Sequence, residues 1–214
     1  MNQRIILMRH GESIKNIENK QGGPGKSLTT LGRQQVFSGI KLIKDYRVHP
    51  KSIYHSNRTQ SNETAMMISN KLQIAMKSDS RLDPLDLDLI SGLSNTEAKT
   101  KYPDVFKKME MWRRGEIEIA ELNLPGGEDI ELFWNRGIGF IRDIECSEET
   151  VIVVGTRSIL ILLMGILLGR SIKLGGGYKS ICIPTGGIFT FCHCPDSGFI
   201  VDKSLTSFSL KYEK

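Results

Sequence analysis

Arg4-Ile5-Ile6-Leu7-Met8-Arg9-His10-Gly11-Glu12-Ser13, near the start of the chain, is the stretch on which the fold turns. From Arg4 to Met8 it is β-rich and lacks polar alternation, the pattern of a central strand buried on both faces, and it stops at His10-Gly11. His10 is therefore expected at the carboxyl end of a strand. Working outward, Thr29 can cap a helix whose Val36, Ile40 and Ile43 recur at helical spacing, and that helix leads to a strand at Ser52 to His55. Ala65, Ile68 and Leu72 mark a second amphipathic helix. Later, Thr150 to Val154 reads as an apolar strand, Ile159 to Leu168 as an apolar helix, and Gly187 to Cys194 and Phe199 to Leu205 as two more strands. Strands alternating with helices argue for an α/β fold, a three-layer α/β/α sandwich with a mostly parallel central sheet, in which ligands bind beyond the carboxyl ends of the strands. His10, Ser56 and Thr156 all fall at such ends, so a shared pocket is expected.

The polar middle region, from Asp79 to Glu131, contains a helix predicted from Thr96 to Arg113, and Phe133 to Ile141 continues helical. We expect a single domain over residues 1–214 with a cap-like insertion at about 79–131. With 214 residues, 39% hydrophobic and 25% charged, the chain can bury one sizeable core and falls outside the collagenous, disordered and disulfide-rich classes. A formal charge of +5 favours anionic partners without choosing between a phosphorylated metabolite and nucleic acid. Cys146, Cys182, Cys192 and Cys194 lack the paired spacing of a zinc site and read as reduced core thiols, so no metal is expected. Met1 to Arg9 has no long apolar stretch behind its basic residue, so we expect no secretory signal and a cytoplasmic location. The hydrophobic stretch from Val151 to Gly169 is cut by Gly155-Thr156-Arg157-Ser158, which favours a buried strand and helix over a membrane span.

A histidine attacks phosphorus only as neutral imidazole, with one ring nitrogen free and the other held by an acceptor, and a dianionic substrate must meet fixed donors. Arg9 beside His10 supplies a fork of donors. Gly11 lets the backbone approach a phosphate, and Asn16 and Thr29 can add neutral hydrogen bonds.

Six ordered segments resemble the histidine phosphatases, the superfamily that includes phosphoglycerate mutases. Arg9-His10-Gly11-Glu12-Ser13 with Asn16 resembles their Arg-His-Gly-(Glu/Gln)-(Ser/Thr) signature, and Leu28 to Gln35 their Leu-Thr-x-x-Gly-x-x-Gln element. His55-Ser56 through Thr64-Ala65 resembles the Ser-Pro-x-x-Arg-(Ala/Thr)-x-x-Thr-Ala element. Leu82 through Gly92, with Glu97 and Tyr102, resembles the middle segment, and Pro125-Gly126-Gly127-Glu128-Asp129 the Pro-Gly-Gly-Glu-Ser segment. Val151 to Ser158 takes the place of the strand leading to Val-Ser-His-Gly. The resemblance implies a phosphoglycerate mutase-like fold. It also implies a mechanism in which the amino-terminal histidine takes the phosphoryl group, two arginines and a second histidine bind its oxygens, and a carboxyl group protonates the leaving oxygen.

Three positions depart from that pattern. The second arginine falls at Gln60, with Arg58 two residues earlier as either its replacement or a solvated loop residue. The acid falls at Pro84, which cannot donate a proton; Asp83, Asp86 and Asp88 are the neighbouring carboxylates, each either a substitute or an exposed loop residue. The second histidine falls at Thr156. Loss of one charged donor there costs about 3 kcal/mol of transition-state stabilisation, roughly a hundredfold in rate, unless Arg157 restores the charge. Met111-Trp112-Arg113-Arg114 resembles the Trp-Arg-Arg ligand contact of phosphoglycerate mutases, so Arg113 and Arg114 either hold a second anionic group or form a charged helix terminus with Trp112 packed inward.

The sequence thus points to a phosphatase acting on a small phosphorylated molecule through a phosphohistidine at His10, with no cofactor and no nucleic-acid or membrane partner. The alternative is a degenerate member that binds an anion or a protein partner without turnover, or a pocket repurposed for other chemistry.

Overall fold

The structure, a computed structural model, describes residues 3–172 and 183–207. Strand β1 (Arg4–Arg9) lies between the parallel strand β4 (Val151–Gly155) and the antiparallel strand β5 (Ile188–Cys194). Its unbroken apolar run has the expected consequence: Ile5 and Leu7 join Val151 and Val153 in one buried cluster, while Ile6 and Met8 join Ile152 and Val154 in another. All eight side chains are fully buried, and each contributes about 1.5–3 kcal/mol relative to exposure. A polar residue at any of them would face a core on its own side of the sheet.

Strands β2 (Ser52–His55), β3 (Ala75–Ser78) and β6 (Gly198–Val201) complete a six-stranded sheet of order β3-β2-β4-β1-β5-β6. The first four strands in that order run parallel, β5 runs antiparallel to β1, and β6 runs antiparallel to β5. Helices α2 (Thr30–Asp45) and α3 (Thr59–Leu72) cover one face through Val36, Ile40, Ile43, Ala65 and Ile68. Helices α6 (Ile130–Cys146) and α7 (Arg157–Leu167) cover the other through Phe133, Phe140, Ile159 and Leu163. A short helix α1 (Ile14–Ile17) follows β1. The three-layer α/β/α reading therefore holds.

The middle region packs onto the α6–α7 face, where Leu82, Leu87, Ile90, Met109, Trp112 and Leu124 share the cluster that contains Ile5 and Leu7. The single helix expected from Thr96 to Arg113 is two helices, α4 (Asn95–Lys101) and α5 (Pro103–Arg113). Pro103 lacks an N–H and drives Tyr102 out of helical geometry, so it opens a new helix rather than continuing the old one. The strand expected to run from Phe199 to Leu205 ends at Val201, because the Asp202 carboxylate accepts from Ser204 N and caps a turn at Lys203–Leu205. Edge strand β3 escaped the sequence reading: it is four residues long and largely exposed. Cys192 and Cys194 alternate on β5 with His193, whose ring meets Phe199 edge-on at 5.3 Å. Cys182 lies outside the described residues. Among the described residues no helix is long and apolar enough to cross a membrane.

Candidate active site

Parallel pairing brings the three strand ends level. Arg9 stands opposite Gly155, His10 N–H donates to Gly155 O at 3.2 Å, and Ser56 N–H donates to Val154 O at 3.2 Å. Beyond β1 the chain is pinned between two helices. Gly11 N donates to Thr64 Oγ1 of α3, Glu12 N to Gln35 Oε1 of α2, and Thr29 N to Glu12 O. The approach is close enough to demand glycine on both sides, since a Cβ on Gly11 would lie 2.3 Å from Gly32 O and one on Gly32 only 2.0 Å from Glu12 O.

This crossing fixes the His10 ring, which is 3% exposed. Its Nδ1 lies 2.7 Å from Gly11 O. A carbonyl oxygen can only accept, so Nδ1 carries the proton and the neutral ring keeps its lone pair on Nε2. Burial, then the adjacent Arg9 charge, lower the imidazole to about 3 against the weaker opposing pull of Gly11 O, and the charges of Lys15 and Arg157 act in the same direction as Arg9. His10 is therefore neutral across the physiological range.

The ring opens on a cavity of about 660 Å³. Six cationic side chains line it, from Arg9, Lys15, Lys20, Arg58, Arg113 and Arg157, against one carboxylate, Glu12, among the described residues. Arg9 is 6% exposed and anchored by Nη1 to Ile183 O at 2.9 Å. Asn16 also lines the cavity; its Oδ1 accepts from both Ser13 N and Ser13 Oγ, which leaves its amide nitrogen as a donor. Gln60 is 3% exposed with Oε1 lacking a partner, and Thr156 Oγ1 is buried and equally unpartnered. Both line the cavity, as does Pro84. The three positions that depart from the histidine phosphatase pattern thus share one wall system facing His10.

Other sequence candidates lie elsewhere. Thr29 caps α2, accepting from Gly32 N and donating to Glu12 Oε1, and does not line the cavity. Asp83 accepts from Asn57 N, and Asp86 from Asp88 N; none of Asp83, Asp86 and Asp88 lines the cavity. Their loop is held by Arg136, which bonds the carbonyls of Arg81, Asp83 and Pro84 and pairs with Glu128. Arg114 is exposed beside Glu116, whereas Arg113 turns inward and bonds Glu110 and Gln21 Oε1, with Trp112 buried behind it. Sequence reasoning missed Lys15 and gave Glu12 no role. The available signal for Lys15 was the Ser13–Asn16 capping box, which forms the short turn that carries it.

A sheet of this topology, with a buried neutral histidine at the end of its first strand opening on a cavity lined by six cations among the described residues, defines the class of α/β protein to which the site belongs. Residues 5–183 match the model of the histidine phosphatase superfamily (branch 1), and the chain belongs to that superfamily. It is 29% identical over 133 residues to the 2,3-bisphosphoglycerate-dependent phosphoglycerate mutase of Novosphingobium aromaticivorans, covering 60% of this chain and 57% of the mutase. The chain thus matches little more than half the length of that relative. Against phosphoserine phosphatase 1 of Hydrogenobacter thermophilus it is 28% identical over 181 residues, covering 80% of this chain and 81% of the relative. Among solved structures, Bacillus stearothermophilus YhfR superposes with a TM-score of 0.80 at 21% identity, covering 95% and 99% of the two chains. A mycobacterial glucosyl-3-phosphoglycerate phosphatase complexed with VO3 superposes with a TM-score of 0.78 at 19% identity, covering 94% and 97%. These likenesses carry the fold.

Proposed function

We propose that the protein is a phosphatase that hydrolyses a small phosphomonoester through a phosphohistidine at His10. The observation that carries this reading is the His10 ring itself, neutral, with Nδ1–H spent on Gly11 O and Nε2 left for attack. In the first step Nε2 bonds to phosphorus, the bond to the leaving oxygen breaks, and that oxygen takes a proton. Water then attacks the phosphohistidine, the N–P bond breaks and phosphate leaves. Arg9 and the Asn16 amide bind the non-bridging oxygens, Thr156 and Gln60 add neutral hydrogen bonds, and Arg157 supplies the charge that the second histidine supplies in the family pattern. Asp83 and Asp86 stand off the cavity, so we assign the leaving-group proton to Glu12, which recovers it from water in the second step. Phosphoserine phosphatase 1, matched over 81% of its length where the mutase is matched over 57%, supports hydrolysis over mutase action. A cytoplasmic location accompanies the proposal, since the free thiols of Cys146, Cys192 and Cys194 suit a reducing compartment.

The test is phosphate release from a panel of phosphomonoesters by the wild type and by His10→Ala. The expected result is a fall of about a thousandfold or more in the variant; equal rates would sink the mechanism. In the same assay Glu12→Gln should slow alkyl phosphates more than p-nitrophenyl phosphate, whose leaving group needs no proton, and a uniform effect would remove Glu12 from this role. A second reading draws on Gln60, Pro84 and Thr156 facing the cavity together: a member that binds an anion without turnover. It expects inorganic phosphate to raise the melting temperature while no panel ester is consumed.

A further inference from the structure

Lys15 and Arg58 are cavity cations that the proposed reaction at His10 leaves unused. Lys15 belongs to α1 and Arg58 stands at the N-cap of α3, yet both reach one acceptor: Lys15 Nζ and Arg58 Nη1 each lie 3.3 Å from Gly23 O. One carbonyl with two lone pairs cannot neutralise two cations. Neither residue forms an ion pair among the described residues. Arg58 Nε is buried without a hydrogen-bond partner. The shared carbonyl is fixed, since Gly23 has φ +72° and a Cβ there would meet Gly92 N at 2.7 Å. Burial first, then the Arg58 charge, pull the Lys15 ammonium down to about 8, as expected for like charges held together with no anion between them. The Lys15 charge also reaches His10, so the pair belongs to the same cavity.

We propose that Lys15 and Arg58 form a second anion subsite, so that the cavity selects substrates carrying a carboxylate or a further phosphate besides the phosphoryl group at His10. This rests on the assignment of His10 as the phosphoryl site. Arg113 is a poorer candidate for the same task, because Glu110 and Gln21 already engage its guanidinium.

Phosphonates test the subsite without turnover, because their C–P bond is not cleaved by attack at phosphorus from histidine. Calorimetric titration of the wild type with methylphosphonate, phosphonopropionate and propylenebisphosphonate compares one anionic group with two, and distinguishes carboxylate from phosphate as the second. At least one doubly anionic ligand should bind about tenfold tighter than methylphosphonate. That ratio should collapse towards one in Lys15→Met and return in Lys15→Arg. A wild-type ratio near one, a ratio unchanged in Lys15→Met, or no binding of any of the three would overturn the proposal. Failure of the phosphatase reading is a separate result, namely no phosphate release from esters while the phosphonate ratio stands.

Discussion

At the scale of single residues, His10 is prepared for attack by the company it keeps. Burial and Arg9 hold the ring neutral down to about pH 3, and Gly11 O fixes which nitrogen is free. The preparation carries a stability consequence. Between the unfolded value near 6.5 and about 3, the unfolded chain binds a proton at this ring that the folded chain does not, so stability rises with pH through the window and is lost as pH falls. The slope from His10 alone is about 1.4 kcal/mol per pH unit. Urea midpoints of wild type and His10→Asn from pH 4 to 7 should diverge as pH falls, the wild type losing more; parallel curves would mean that the ring titrates normally. His10 and Arg9 were legible because an apolar strand delivers them directly. Asp83 and Asp86 stand off the cavity because the direction of their loop depends on Arg136, some fifty residues away, gripping its carbonyls. Pairing of that kind leaves no local mark in the sequence.

Among the elements, the crossing of the loop after β1 over the start of α2 determines whether the site exists. Gly11 and Gly32 allow two backbones to touch where a single methyl group would meet a carbonyl oxygen at about 2 Å. Gly32→Ala should therefore lower unfolding free energy by about 1–3 kcal/mol, measured by urea denaturation, and should weaken methylphosphonate binding at conditions where the variant remains folded. Unchanged stability and binding would show that the loop can move aside at little cost. The strands with continuous apolar runs, β1 and β4, were readable because burial on both faces forbids polar alternation. Edge strand β3 was not, since Ala75-Met76-Lys77-Ser78 carries almost no burial signal and owes its existence to pairing with β2. The break at Tyr102-Pro103 was readable in principle, because the rule that a proline restricts its predecessor applies there directly.

For the whole molecule, the order β3-β2-β4-β1-β5-β6 sets the carboxyl ends of β4 and β1 at the cavity, which Arg58 and Gln60 enter from the start of α3 while Ser56 at the end of β2 does not line it, and α7 and the α4–α5 region supply further walls. Alternation of strand and helix was enough to anticipate that layering. The charge balance of the cavity was harder to see, because its six cations come from segments as distant as Arg9 and Arg157 and a net charge of +5 says nothing of where they collect. If this assembly makes His10 a phosphoryl acceptor despite Gln60, Pro84 and Thr156, the phosphorylated ring accumulates during turnover. Rapid quenching into alkali during turnover of a phosphomonoester, followed by phosphorus NMR of the denatured protein, reads it directly. A phosphohistidine signal that disappears in His10→Ala is expected; steady phosphate release with no such signal, or the same signal in the variant, would rule out His10 as the acceptor.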